Sequence, residues 1–284
     1  MTNYELPLVF FTVLCQWGVG VLAATTALQY LAPALVQEYV RTGRMRLLAV
    51  LVFAAVALGT LLSLGHLGTP SGMFRAFSGF AHSWLSREGL AFLVLNAVTL
   101  AWTVVFFLHP GNASLQRKLG LLASLVGVVA VLASGQVYYQ MIAHPFWHTP
   151  LTHINFVGTA LLLGFATAGI AFRTGITPTP PPGVLSAGLI LGTVMVLTAL
   201  LGYSGGLSQQ GPLLESARLL FGSSWLLAGF IAFAAFLPAA LAVCIYRNVT
   251  LSKGMACVYM ALFAAGAVCS RMLFFGSVMR QPWF

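Results

Sequence analysis

The sequence predicts an all-α membrane protein, one bundle of eight transmembrane helices, and three observations carry that prediction. Of 284 residues 60% are hydrophobic and only 6% charged, with a mean hydropathy of +0.95; soluble domains carry about 25% charged residues, so this protein cannot cover a water-facing surface. Apolar stretches recur at the length of about 20 residues that a helix needs to cross a hydrocarbon core roughly 30 Å thick. Strict apolar–polar alternation is absent, which leaves helices rather than a closed barrel to satisfy the backbone in lipid.

The spans are expected at about 8–32, 47–66, 89–108, 119–142, 153–172, 184–203, 223–246 and 255–277, with ends uncertain by roughly two to four residues. No Lys or Arg precedes span one, and its apolar run is longer than a signal h-region. Span two has Gly59, Ser63 and His66 on one face, and Gly68 follows as a helix C′ residue. Glu88 opens span three. Span four carries a stripe of Ser124, Gly127, Val131, Ser134 and Tyr138 at helical spacing, the kind of surface that faces other helices rather than lipid. TPTPPPG at Thr177–Gly183 is a stiff connector between spans five and six. Arg271 lies near the end of span eight, where a long side chain either snorkels to the interface or serves a function. No internal repeat is visible, and the whole sequence reads as one integral domain, residues 1–284.

The formal charge of +9 does not mark a nucleic-acid binder, because the basic residues are scattered between spans. The 1–2, 3–4, 5–6 and 7–8 connections hold Arg41, Arg44, Arg46, Arg117, Lys118, Arg173, Arg247 and Lys253; the opposite set holds Arg75, Arg87, Arg218 and Arg280. Eight against four predicts the first set in the cytoplasm and both termini in the periplasm. Cys15, Cys244, Cys257 and Cys269 form no CxxC pair and no metal-site spacing, and read as small buried hydrophobes.

The scarce polar groups gather at one membrane level. Even spans end and odd spans begin on the same side, so His66, Glu88, Tyr138, Tyr139 and Arg271 share that side. The connection between spans two and three adds Arg75, His82 and Arg87. Met73, Phe77, Phe80 and Trp84 recur there at helical spacing opposite Arg75, Gly79 and His82. That pattern suits either a short helix lying in the interface, under which a lipid-soluble substrate could enter, or an ordinary interfacial anchor. His66 at a helix end can simply stabilise that end; a carboxylate at matching depth, Glu88, makes it instead a proton acceptor tuned across neutral pH.

HLGTP at His66–Pro70 followed by SWLSRE at Ser83–Glu88 resembles the signature of the membrane anchor subunit of dimethyl sulfoxide reductase-type enzymes (DmsC-like). ELPLVFFTVLCQ at Glu5–Gln16, YYQMIAHPFWHT at Tyr138–Thr149 and SRMLFFG at Ser270–Gly276 are similar to further segments of that family, so the resemblance runs over nearly the whole sequence. It implies an eight-helix anchor without haem or metal that oxidises menaquinol. It also implies two partners: an iron–sulfur subunit that receives the electrons, and a molybdopterin catalytic subunit that the iron–sulfur subunit feeds. The setting it implies is the bacterial inner membrane. The family's quinol-site histidine maps onto His66 and its loop glutamate onto Glu88; Tyr138, Arg271, Arg75 and Arg87 are the further groups expected around the quinol. Where members carry an acid one turn before the closing arginine this sequence has Ala267, so the resemblance assigns Arg271 no charge partner. Two other classes remain, a haem b anchor and a small-solute transporter. The first needs facing histidines within the bundle. The second usually needs polar groups near the midplane in repeated halves.

Overall fold

The computed structural model describes residues 5–64, 79–174 and 182–279. His66 and Arg75, the C-terminal Arg280, and most of the interfacial stretch and of the proline-rich connector therefore lie outside the described residues. Among those described there are helices and no strand, and eight helices are long and apolar enough to cross a membrane.

Spans one to six are α1 (Leu6–Leu31), α3 (Arg44–Leu64), α4 (Trp84–Leu108), α5 (Ala113–Tyr139), α6 (Pro150–Ala171) and α7 (Pro182–Ser204). Span seven is α9 (Ser224–Ile231) and α10 (Leu237–Tyr246) joined by a π-helical turn at Ala232–Phe236, and span eight is α11 (Lys253–Met279). Two further helices were not expected from hydropathy: α2 (Pro33–Arg41) after span one and α8 (Pro212–Gly222) before span seven. Both are amphipathic, burying Leu35, Val36, Tyr39 and Val40 in one case and Ser216, Ala217 and Leu220 in the other.

Spans three, four and five begin earlier than hydropathy suggests because capping residues extend them. Asn112 accepts from the Leu115 N–H, Thr149 from Leu151 and Ser83 from Ser86. These side chains satisfy donors that the first turn of a helix leaves open. Trp84 is therefore the first residue of α4 rather than the end of an interfacial helix. Gly79–His82 form a turn, closed by bonds from the His82 and Ser83 N–H groups to the Gly79 carbonyl. The π turn also has a local cause. Pro238 has no N–H, and its ring would clash with the Ala234 carbonyl in a regular helix, so the preceding turn widens.

Helix α1 is the central post of the bundle, packed on α3, α5, α6 and α11. Its closest approach is to α6. A Cβ at Gly20 would stand 1.8 Å from the Ala160 carbonyl oxygen, and one at Gly164 would stand 1.9 Å from the Gly20 carbonyl carbon. Small residues let these backbones touch, which is how helices associate where lipid removes the hydrophobic incentive. The stripe on α5 is buried throughout, as the sequence suggests: Gly127 meets Val19 and Ser124 bonds Thr26 at 3.1 Å, both on α1. The cysteines divide. Cys15 is buried and Cys244 and Cys269 half-buried, whereas Cys257 is exposed on the outer side of α11. An apolar thiol is compatible with lipid contact, so the expectation of burial fails there for a reason that hydropathy cannot resolve.

A buried polar centre between α1, α4, α5 and α11

Along one end of the bundle lie the start of α1, the start of α4, the end of α5, the start of α6 and the end of α11. Two ionisable groups of opposite sign are buried there. Glu88, in the second turn of α4, is 7% exposed, and its Oε1 has no hydrogen-bond partner. Ser134 on α5, Cys15 and Tyr138 all lie within its electrostatic reach, and the Ser134 hydroxyl is likewise buried without a hydrogen-bond partner. Arg271 is 0% exposed. It sits eight residues before the last residue of α11, about 12 Å along the axis at 1.5 Å per residue. It does not snorkel.

The Arg271 guanidinium donates from Nη2 to Gln16 Oε1 at 2.7 Å and stands 4.1 Å from the centre of the Phe156 ring and 5.8 Å from that of Phe274. Its Nε and Nη1 have no hydrogen-bond partner. A desolvated cation over an aromatic face gains about 2 kcal/mol, well below the several kcal/mol that removing it from water costs. An ion pair with both charges present stands elsewhere, Glu38–Arg41, out on α2. There Arg41, bonded to Glu38 and adding its charge, holds that half-buried carboxyl below its ordinary range. Arg271 is thus a buried positive charge with a neutral amide as its partner, which answers the question that Ala267 raised.

Tyr138 is in electrostatic reach of both Glu88 and Arg271, and also of Glu5 at the head of α1. Trp147, Phe156, Phe274 and Phe275 enclose its ring at centroid distances of 5.3 to 5.7 Å. The connection after α5 is pinned over this box: Trp147 donates to the Phe274 carbonyl at 3.0 Å, and Thr152 donates to the Trp147 carbonyl at 2.8 Å. His148 bonds the Tyr139 carbonyl, and His153 bonds Gln136 at 3.0 Å. Tyr203 too is in electrostatic reach of Arg271, and its buried hydroxyl has no hydrogen-bond partner. It forms one wall of a surface cavity of about 320 Å³ with Phe146, stacked on it at 4.4 Å, and Gln209.

The structure therefore gathers Glu88, Tyr138 and Arg271 of the expected set. Arg87 is not with them. One residue along a helix turns a side chain by about 100°. The Arg87 guanidinium reaches back to the carbonyls of Phe80 and Ala81 at 3.0 and 2.8 Å and covers the Trp84 ring at 4.5 Å. Gln16, Phe156 and Tyr203 belong to the centre and were missed. Gln16 had a signal: it is a polar residue ten positions into span one, about 15 Å deep, a level close to that of Arg271. Phe156 had none, because an aromatic residue in an apolar span looks like any other. The described histidines lie in connections or at helix ends: His82, His109, His144, His148 and His153. They offer no facing pair within the bundle.

Comparison with known proteins bears on what this centre does. Residues 1–277 match the family described as DMSO reductase anchor subunit (DmsC). A sulfite dehydrogenase subunit from Allochromatium vinosum is 31% identical over 175 residues, 56% of this protein and 52% of that one. An anaerobic dimethyl sulfoxide reductase polypeptide from Haemophilus influenzae is 29% identical over 163 residues, 57% of this protein and 56% of that one. The anaerobic dimethyl sulfoxide reductase polypeptide YnfH of Escherichia coli is 30% identical over 172 residues, 60% and 58% of the two proteins. Each match spans little more than half of either protein.

Proposed function

The chain belongs to the DMSO reductase anchor subunit (DmsC) family, and from that premise we propose that it oxidises menaquinol at the Glu88–Tyr138–Arg271 centre. The electrons pass to an iron–sulfur subunit, which supplies a molybdopterin catalytic subunit in the bacterial inner membrane. The observation that carries the reading is the pair of unsatisfied groups: a buried carboxylate oxygen on Glu88, and two buried donor nitrogens on Arg271, with Tyr138 in electrostatic reach of both. A quinol carries two hydroxyls across one ring. It gives up two electrons to the clusters and two protons to the protein, and the electrons leave only as the protons are accepted. Glu88 takes one proton. Arg271 holds the other oxygen as it becomes more negative, a fixed charge in a dry site. His66 enters from the family resemblance as the second proton acceptor.

Electrons cross protein only over short distances, so the iron–sulfur subunit docks at the end of the bundle that holds the centre. By the count of basic residues that end faces the periplasm. A reporter fused after Phe284 that works only in the periplasm is expected to be active; activity of a cytoplasm-only reporter there would reverse the orientation. Purification in mild detergent tests the assembly. Subunits with iron–sulfur clusters and molybdopterin are expected to leave the membrane with this protein. A protein that emerges without them and shows a haem b spectrum would be an anchor of another kind.

A further inference from the structure

At the opposite end of the bundle a second polar site lies outside the centre described above. Gln29, in the last turn of α1, is 3% exposed, and neither its Oε1 nor its Nε2 has a hydrogen-bond partner. The buried Trp102 Nε1 on α4 is unpartnered too. The two converge with Thr26 on Gly120 of α5: a Cβ at Gly120 would stand 2.9 Å from Thr26 Oγ1, 3.0 Å from Gln29 Oε1 and 3.1 Å from Trp102 Nε1. Gln29 also lines a cavity of about 80 Å³ with Pro33, Val36, Gln37, Gln116 and Arg117. That volume exceeds the roughly 30 Å³ share of one water.

Buried amide groups are seldom left unmade, because an orphaned donor or acceptor keeps its full desolvation cost. Gln116 is already committed, donating to the carbonyls of His109 and Pro110 at 3.1 and 3.0 Å. The end of α1 and the start of α2, which has no side-chain cap, meet at Ala32, so their opposite dipoles offset one another. The net charge at the cavity is then that of Arg117, half-buried, with its guanidinium 5.8 Å from the centre of the exposed Tyr30 ring. One cation, an amide with donor and acceptor both free, and an interfacial tyrosine at the end of a membrane span fit a singly charged phosphate at headgroup depth.

We propose that the cavity between α1, α2 and the start of α5 binds the phosphodiester headgroup of a membrane glycerophospholipid. Arg117 and the Gln29 amide nitrogen donate to the phosphate oxygens, and the Gln29 carbonyl accepts from the headgroup substituent. The lipid closes the seam where span one turns into α2, on the end of the bundle that carries most of the loop arginines and lysines.

Native mass spectrometry of the purified complex, placed in nanodiscs of phosphatidylcholine with added phosphatidylglycerol, tests this. One phospholipid per copy is expected to survive release from the disc. Gln29→Leu and Arg117→Gln should each weaken its retention roughly ten-fold, the effect of losing about one charge-assisted hydrogen bond. Quinol turnover should not change, since neither residue reaches the other end of the bundle. Equal retention in all three proteins would overturn the proposal and leave ordered water as the occupant. Displacement of the lipid by excess inorganic phosphate would assign the cavity to the free ion and overturn it also. If Gln29→Leu does not assemble, Arg117→Gln on the rim decides between these outcomes.

Discussion

Arg271→Gln is expected to lower menaquinol-dependent turnover of the assembled complex by about 10²–10³-fold, the range found when one preorganised donor to a developing negative charge is removed. Reduction of the terminal acceptor by an artificial soluble donor should persist, because the clusters and the catalytic subunit are untouched. Glutamine at 271 keeps a partner for the Gln16 amide, so the loss reads the charge rather than a collapsed site. The reason for so large an effect lies in what surrounds the guanidinium. It is fully buried, has one neutral hydrogen bond and an aromatic face, and keeps two N–H groups with no acceptor. An uncompensated buried charge of this kind is costly to the fold and is expected to serve the chemistry. Retention of most of the quinol activity would leave Arg271 as a packing residue.

Glu88→Gln is expected to cost about 10²-fold in the same assay, at the lower end of what positioned acid–base groups contribute. The amide has nearly the shape of the carboxyl but cannot take a proton from a quinol hydroxyl. Soluble-donor activity should again persist. Ser134, whose hydroxyl acts on Glu88, stands on the buried stripe of α5, so the carboxyl faces a helix and not a loop. An unchanged quinol rate in Glu88→Gln would place the proton acceptor elsewhere.

The eight spans and the shared level of the polar groups were legible in the sequence because both follow from composition and chain direction alone. Each span needs only its apolar length, and alternation of direction puts Glu88, Tyr138 and Arg271 at one end. The capped helix starts at Asn112 and Thr149 were not legible from hydropathy, since the capping turn is polar. Nor was the widened turn before Pro238, which depends on the hydrogen-bond register. The partner of Arg271 was hidden for a different reason. Gln16 is 255 positions away, and only the packing of α1 against α11 brings the two together. The direction of the Arg87 side chain was not legible either: chain direction fixes its level, whereas its bonds to the Phe80 and Ala81 carbonyls depend on the turn before α4.

In the proposed reaction this protein admits electrons from menaquinol, with His66 and Glu88 taking the protons. The most direct measurement is the rate at which menaquinol reduces the iron–sulfur clusters of the purified complex under anaerobic conditions, compared between the native protein and His66→Phe. The account predicts rapid cluster reduction in the first. In the second, reduction should fall by about 10²-fold or more, while a soluble donor reduces the same clusters at an unchanged rate. Equal menaquinol-driven rates in the two complexes would contradict it.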